Sequence, residues 1–499
     1  MLKVQKKKNL VNSLNSIAKN NNVYLITRWQ EKRVKRVTAV DDTIENVSTG
    51  RSSGVGFHLF NQAGRSVLTA TDNTEDEKKL IETLSQGIKS LKKLGKKATP
   101  NKEIFLLEPK QDTINLTKGF DFNFLTVSQI EKKLLDLNKK TKELGKNPGV
   151  GESLRITTSF NIAQEGWKIT RSDGTNVEWE IPRAYLGMHI TYQEGKKKVN
   201  DSVIKSSPGW GVLTEPKLEN NLLEEAYFVI NMLKKSAKHP EYESGNYNLL
   251  IDAALGGLLA HEAFGHCAES DTIYEDGSVL SKRGKLEKGK KVANPTLSIV
   301  DETKEKTWSF QPYSAFGVPR GKIDIIKNGC VKESLGDVFT GKDIGDKIRG
   351  AARVESYSST PLPRMSRTFI SVKNPKSSPG YLADPKQIQK MLKDNGLLEE
   401  KILVLRGSRG GGQVDTQAGT FMFGFSYLYE ITPTSINIFR GSSFSGKTLE
   451  ALKSITEGFG PIKTDFPGMC GRGQRVTSLI GSNEFIYLEK SPYVTLGGT

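Results

Sequence analysis

The six residues His261-Glu262-Ala263-Phe264-Gly265-His266 constrain the backbone more than any other segment of this 499-residue chain. Only five histidines occur in it, so two within six positions point to a shared task. They follow the apolar run Leu249–Ile251 and a helical stretch that starts at about Ala253. On an ideal α-helix of roughly 3.6 residues per turn, positions i and i+5 point about 140° apart. Both rings reach one ligand only if the helix ends between them or widens into a π-turn, which brings i and i+5 nearly into line. Gly265 is the residue expected to tolerate that distortion.

Two neutral imidazoles and a third ligand are what a catalytic Zn²⁺ takes, with a fourth position left for water. Glu262, beside the first histidine, is placed as general base for that water. The third ligand is not specified locally. Of the three cysteines, Cys267, Cys330 and Cys470, the best candidate is Cys470, in Gly468-Met469-Cys470-Gly471-Arg472-Gly473-Gln474. Its glycine-rich setting lets thiolate and backbone approach an ion closely. The plain alternatives are two unrelated histidines and a cysteine that serves as a small buried hydrophobe.

Three cysteines spread over such a length do not make a disulfide framework and fit a reducing compartment. No apolar segment follows Lys6-Lys7-Lys8, so no signal peptide is expected. The longest apolar stretch, around Leu249–Ala260, is broken by Asp252 and is far below the roughly 20 residues a membrane helix needs. A cytoplasmic protein without membrane contact is expected. The net charge of +17 raises the question of nucleic acid. Yet the lysine clusters (Lys96-Lys97, Lys196–Lys198, Lys290-Lys291) are scattered and free of interleaved aromatics. No helix-turn-helix, zinc-finger or RNA-sheet signature occurs. A solvated basic surface is expected, with no nucleic-acid partner.

The patterning predicts an α+β fold in two parts. Strands are expected over Val23–Thr27, Arg33–Val40 and Val55–Phe60, with a hairpin turn at Asn61-Gln62-Ala63-Gly64. A capping box at Thr74 and Glu77 is expected to open a helix through Leu80, Leu84, Ile88 and Leu91, ended by Gly95 and Pro100. A second helix is expected over 127–144. Antiparallel strands follow at Arg155–Ser159, Gly166–Arg171 and Val177–Ile190, then a helix over Leu222–Lys238. The expected division is an N-terminal α/β-mixed domain with an antiparallel sheet, residues 1–230, and a β-rich C-terminal domain, residues 231–499, which carries the metal-site helix.

Gly441-Ser442-Ser443-Phe444-Ser445-Gly446-Lys447-Thr448 matches the phosphate-loop pattern G-x-x-x-x-G-K-[ST]. A strand-like run, Ile436–Phe439, precedes it and a helix-like stretch, Leu449–Ile455, follows. Thr296–Glu302, ending in Asp301-Glu302, imitates a magnesium-binding strand. Too few residues follow Thr448 for a nucleotide-binding α/β domain, and Asp301 lies upstream, in the wrong chain order. A nucleotide-binding or otherwise non-catalytic partner subunit therefore stands as the alternative reading.

The run His261-Glu262-Ala263-Phe264-Gly265-His266-Cys267-Ala268-Glu269-Ser270-Asp271 resembles the signature of the TldD/PmbA family of metalloproteases. Other blocks agree in order. They are Arg353–Tyr357 with Pro361–Ser366, then Gly411–Asp415 with Gly419–Phe421, the Cys470 loop, and the ending Leu496-Gly497-Gly498-Thr499. Ser53-Gly54-Val55-Gly56, before a strand, is a weaker match in the first half. The resemblance implies a zinc peptidase acting on unfolded or extended peptides. It implies His261, His266 and Cys470 as metal ligands and Glu262 as the catalytic glutamate. It also implies a homodimer, or a heterodimer with a metal-free paralogue in which this chain is the metal-binding, TldD-type subunit. There are two departures. The loop after Cys470 is one residue shorter than the family's, and Arg367 stands where the family usually has Asn. Arg364 and Gln413 are candidate substrate contacts, with buried structural roles as the alternative.

Overall fold

The apolar–polar alternation between Tyr24 and Phe60 resolves into one long hairpin, β1 (Tyr24–Val40) and β2 (Thr43–Phe60). The expected strands at 33–40 and 55–60 are parts of these longer ones. The structure, a computed structural model, describes residues 8–94, 101–408 and 412–497. The hairpin joins β3 (Ser66–Thr71), β4 (Gln111–Asn115), β5 (Leu154–Arg171), β6 (Asn176–Glu194) and β7 (Lys197–Ser207) in a seven-stranded, mainly antiparallel sheet. Its order is β3-β2-β1-β5-β6-β4, and β7 also pairs with β6. The turn at Asn61–Gly64 forms as expected between β2 and β3, with Gly64 at φ +82 and Asn61 Oδ1 accepting from Ala63 and Arg65 N–H.

Strand period sorts the faces of this sheet. Leu25, Trp29, Phe57 and Leu59 pack on α1 (Lys8–Asn20) and α2 (Glu77–Lys93), through Leu14, Leu80 and Leu84. Val37, Ile162 and Leu186 pack on α3 (Val127–Leu144) and a later helix through Leu134 and Ile230. The other face, at Ile26, Trp167 and Trp179, is covered by Phe310, Tyr313 and Phe316 of the second half. The cap of α2 differs from expectation. Asp76, not Thr74, accepts from Lys78 and Lys79 N–H, because a carboxylate one residue before Glu77 reaches the free amides of the first turn. The expected terminators Gly95 and Pro100 lie outside the described residues, as do Lys96, Lys97, Gly411, Gly498 and Thr499. A short α4 (Gly211–Thr214) precedes α5 (Pro216–Ser236). That helix starts six residues earlier than the apolar period indicated, because Pro216 suits the first helical position.

The second half is β-rich. Its large sheet is built on the hairpin Ile455–Arg472/Gln474–Leu488, closed by Gly473 at φ +67. The second of these strands pairs with β8 (Leu249–Asp252) and with Arg367–Val372, while Ile455–Arg472 pairs with it and is bridged at Phe459 by Lys376. From β8 the chain passes straight into α6 (Ala253–Leu258), capped by Asp252, which accepts from Leu255 N–H. The helix lies flush on the sheet: a Cβ on Gly257 would stand 2.4 Å from Gly481 N. Among the described residues no helix is long and apolar enough to cross a membrane. The phosphate-loop match is not a loop. Ser443–Lys447 is a strand paired on both sides, with Thr420–Gly424 and Val494–Leu496, so its amides are committed to a sheet.

Candidate metal centre

The helix opened by α6 widens after one and a half turns. Leu259–Gly265 is π-helical, and His266 N–H donates to His261 C=O, the i→i+5 bond that stacks these residues in one column. Their rings sit edge to face, 5.3 Å between centroids. Gly265 has ordinary helical angles, φ −59 and ψ −51, so backbone freedom is not its task. A Cβ there would stand 1.8 Å from Met365 Sδ; glycine is required by packing.

Cys470 arrives from the other side. It lies near the tip of the long hairpin, opposite Val476, and its Sγ is 3.5 Å from His266 Nε2. One ligand atom from each of His261, His266 and Cys470 lies within 4.8 Å of the others, and all three residues are buried. Arg472 and Gly473 make the tight turn, which gives the short loop its path.

A layer of charge surrounds this trio. Glu269, fully buried, lies 3.1 Å from His266 Nδ1. Arg472 Nη1 donates to Glu269 at 2.8 Å and to Asp271 at 2.9 Å. Arg364, also buried, reaches Cys470 Sγ at 2.8 Å and donates to Arg472 C=O at 2.7 Å. Burial opposes ionisation of Cys470, but His261 and His266 outweigh it and bring the thiol down to about 4. Burial likewise opposes charge on His266, yet Glu269 and Cys470 hold its imidazole well above the usual range. His261 shifts upward in the same way, against burial, through Cys470 and Glu262.

The donor set fits Zn²⁺. With metal–ligand lengths of about 2.0–2.3 Å and tetrahedral angles, ligand atoms stand roughly 3.5 Å apart, as Sγ and Nε2 do here. His261 Nδ1 is buried without a hydrogen-bond partner, an orphaned donor atom on one of the three residues. His266 has its second nitrogen fixed by a carboxylate, the usual arrangement for a ligating imidazole.

Glu262 lies 3.5 Å from His266 Nε2 and with His261 and Cys470 lines a cavity of about 310 Å³. The cavity runs between the two halves of the chain, past Asp201 of β7 to Arg406 and Tyr427. Of the candidate contacts, Arg364 is a buried partner of the thiol. Gln413 is exposed on the strand Gly412–Asp415, whose Gly412 backs onto Glu262. Arg367 is engaged with Glu302 and Thr464, and buried Asp301 with Arg320, Ser366 and Thr368. Sequence reasoning gave no role to Glu269, although its spacing three residues beyond His266 was a usable signal. Nothing local in the sequence pairs Arg364 with Cys470.

Residues 244–476 match the family model described as PmbA/TldA metallopeptidase C-terminal domain. A metalloprotease of Methanocaldococcus jannaschii is 26% identical over 449 residues, spanning 88% of this chain and 90% of that protein. A zinc metalloprotease TldD homolog of Saccharolobus solfataricus is 24% identical over 394 residues, 78% of this chain and 80% of that one. The fold is similar to the crystal structure of TldE from Thermococcus kodakarensis, with a TM-score of 0.74 at 14% identity, covering 98% of this chain and 100% of that chain.

Proposed function

The chain belongs to the TldD/PmbA family, and from that premise we propose that it is a zinc-dependent peptidase that hydrolyses unfolded or extended peptides. One observation carries the reading: His261, His266 and Cys470 converge, the last two 204 residues apart in sequence, and His261 and Cys470 open with Glu262 on a single cavity. His261, His266 and Cys470 are the proposed ligands. A Zn²⁺ held by them supplies Lewis-acid polarisation of the scissile carbonyl and of the attacking water.

The protein's own groups do the rest. Glu262 takes the proton of the attacking water on a carboxylate oxygen and hands it to the leaving amine. Glu269 fixes the His266 ring through Nδ1, and Arg364 aims the Cys470 thiolate. An extended peptide is proposed to add a strand to the outer edge of Ile455–Arg472 beside Cys470, beyond the Lys376 bridge at Phe459, with little sequence preference. Residues 1–230 and 231–499 are taken as the two functional units, with the cavity between them. The chain is proposed to act in the cytoplasm, as a homodimer or with a metal-free paralogue, itself the metal-binding, TldD-type subunit.

Glu262→Gln tests this. Zinc content is expected to stay at the wild-type level while cleavage of an unfolded peptide is lost. Cleavage at the wild-type rate in the variant would exclude Glu262 as the base.

A further inference from the structure

A second, larger cavity of about 540 Å³ opens on the face of the first sheet that lacks helices. Register builds it. Lys32, Arg36 and Thr38 share one face of β1, and Lys32 and Arg36 stand opposite Glu165 and Asn161 of β5. Asn161 in turn stands opposite Tyr185, Ala163 opposite Arg183, and Trp167 opposite Trp179 on β6. The far wall comes from Trp308, Arg353, Glu355 and the hairpin residues around Arg475.

Gly468 and Met469 line both this cavity and the one beside Glu262. Met469 directly precedes Cys470, yet 53% of its surface is exposed at this junction. Trp308 Nε1 holds the strand there by donating to Gly468 C=O at 3.1 Å. The two cavities are therefore adjoining stretches of one surface, with an exposed thioether where they meet.

Its charge is one-sided: Lys32, Arg36, Arg183, Arg353 and Arg475 face only Glu165 and Glu355. Arg183 is taken up by Glu165 at 3.6 Å and by the carbonyls of Trp308 and Phe310. Arg353 is taken up by the carbonyls of Met365 and Thr477. Glu165 is shared further with Gln30 and Trp167, and Glu355 accepts from Arg475 N–H. Among the described residues the side chains of Arg36 and Arg475, both exposed, form no ion pair. The walls between them include the side chains of Trp167, Trp179, Tyr185 and Trp308, which lower the local dielectric and strengthen the attraction of an anion.

We propose that this cavity is a subsite for acidic peptides: an extended chain whose carboxylates meet Arg36, Arg475 and Lys32 while its backbone runs past Met469 to the centre beside Cys470. This rests on the peptidase reading and narrows its substrate class. It also gives part of the net charge of +17 a task that the scattered lysines did not suggest.

The test compares two labelled extended peptides, identical except that the Asp and Glu residues of one are Lys in the other. Binding is measured by fluorescence anisotropy on full-length Glu262→Gln protein, which leaves the peptides intact. The acidic peptide is expected to bind about tenfold more tightly, and added salt should erode the difference. Arg36→Gln with Arg475→Gln should abolish the preference, and the double Lys replacement should keep it; both positions are exposed, so folding is not at stake. Equal affinities, a preference that survives the double Gln replacement, or displacement of the acidic peptide by single-stranded RNA at comparable concentration would each overturn the proposal. Wild-type cleavage of a neutral peptide without any charge preference defeats this subsite alone. Charge-dependent binding with no cleavage of any peptide by zinc-loaded wild type defeats the peptidase reading and leaves the subsite standing.

Discussion

Arg364 Nη2 lies 2.8 Å from Cys470 Sγ, and the other arm of the same guanidinium donates to Arg472 C=O at 2.7 Å. One side chain thus fixes both the thiol and the turn that presents it. Two-armed recognition of this kind is beyond a lysine, whose ammonium is a point charge. Arg364→Lys is therefore expected to keep the fold and lower zinc affinity by about 10–100-fold, the range for partners that orient ligands. Competition against a chelator measures it; unchanged affinity would mean that Arg364 only fills space.

Cys470→Ala removes the one proposed ligand contributed by the distant hairpin. The purified variant is expected to lose stoichiometric zinc while its circular dichroism stays that of wild type. Full zinc retention would remove Cys470 from the ligand set and leave the two histidines to recruit another donor.

Gly265 and Met365 make a paired prediction. A methyl at position 265 would meet Met365 Sδ at 1.8 Å, so Gly265→Ala overpacks the floor of the π-turn. Overpacking of this sort costs about 1–3 kcal/mol. Adding Met365→Ala opens the space, and urea unfolding should show the double variant more stable than the sum of the two single changes predicts. Strict additivity would mean that the two side chains do not press on each other.

Local chemistry made the helix-borne half of the site legible. A five-residue spacing of histidines demands either a break or a π-turn, and Leu259–Gly265 is π-helical. Cys470 stood out by its glycine-rich setting and by the resemblance, but no spacing rule ties it to the histidines across two strands and a sheet crossing. The role of Gly265 was misread for a physical reason: its constraint is a contact with Met365, a hundred residues away, and not a dihedral angle. Similarly, Ser53-Gly54-Val55-Gly56 lies inside β2 and not before a strand. Gly54 and Gly56 are small because Tyr357 of the second half sits on them. The two strand faces that form the larger cavity follow from register, which alternation alone does not set.

Asp201 offers a test of the smaller cavity that needs no metal. It projects from β7 into the wall shared with His261 and Glu262, its Oδ1 accepting from Ser202 N–H at 2.8 Å. Burial, helped by Asp252 and Glu225 and opposed by hydrogen bonds from Ser202 and Ser426, pushes its carboxyl from 3.8 up to about 7. The folded chain thus holds this proton more tightly than the unfolded one. Below pH 3.8 both states keep it and stability is unaffected. Between 3.8 and about 7 only the folded state keeps it, so each step up in pH favours unfolding; above about 7 the cost is complete. At about 1.4 kcal/mol per tenfold change in proton affinity, the cost reaches up to about 4 kcal/mol. Asp201→Asn retains the shape and carries no charge. Urea denaturation at pH 5 and pH 8 should show wild type losing more stability than the variant between the two values, and the variant the more stable at pH 8. Equal losses in both proteins would mean that the Asp201 carboxylate is solvated, and the wall of the cavity open to water.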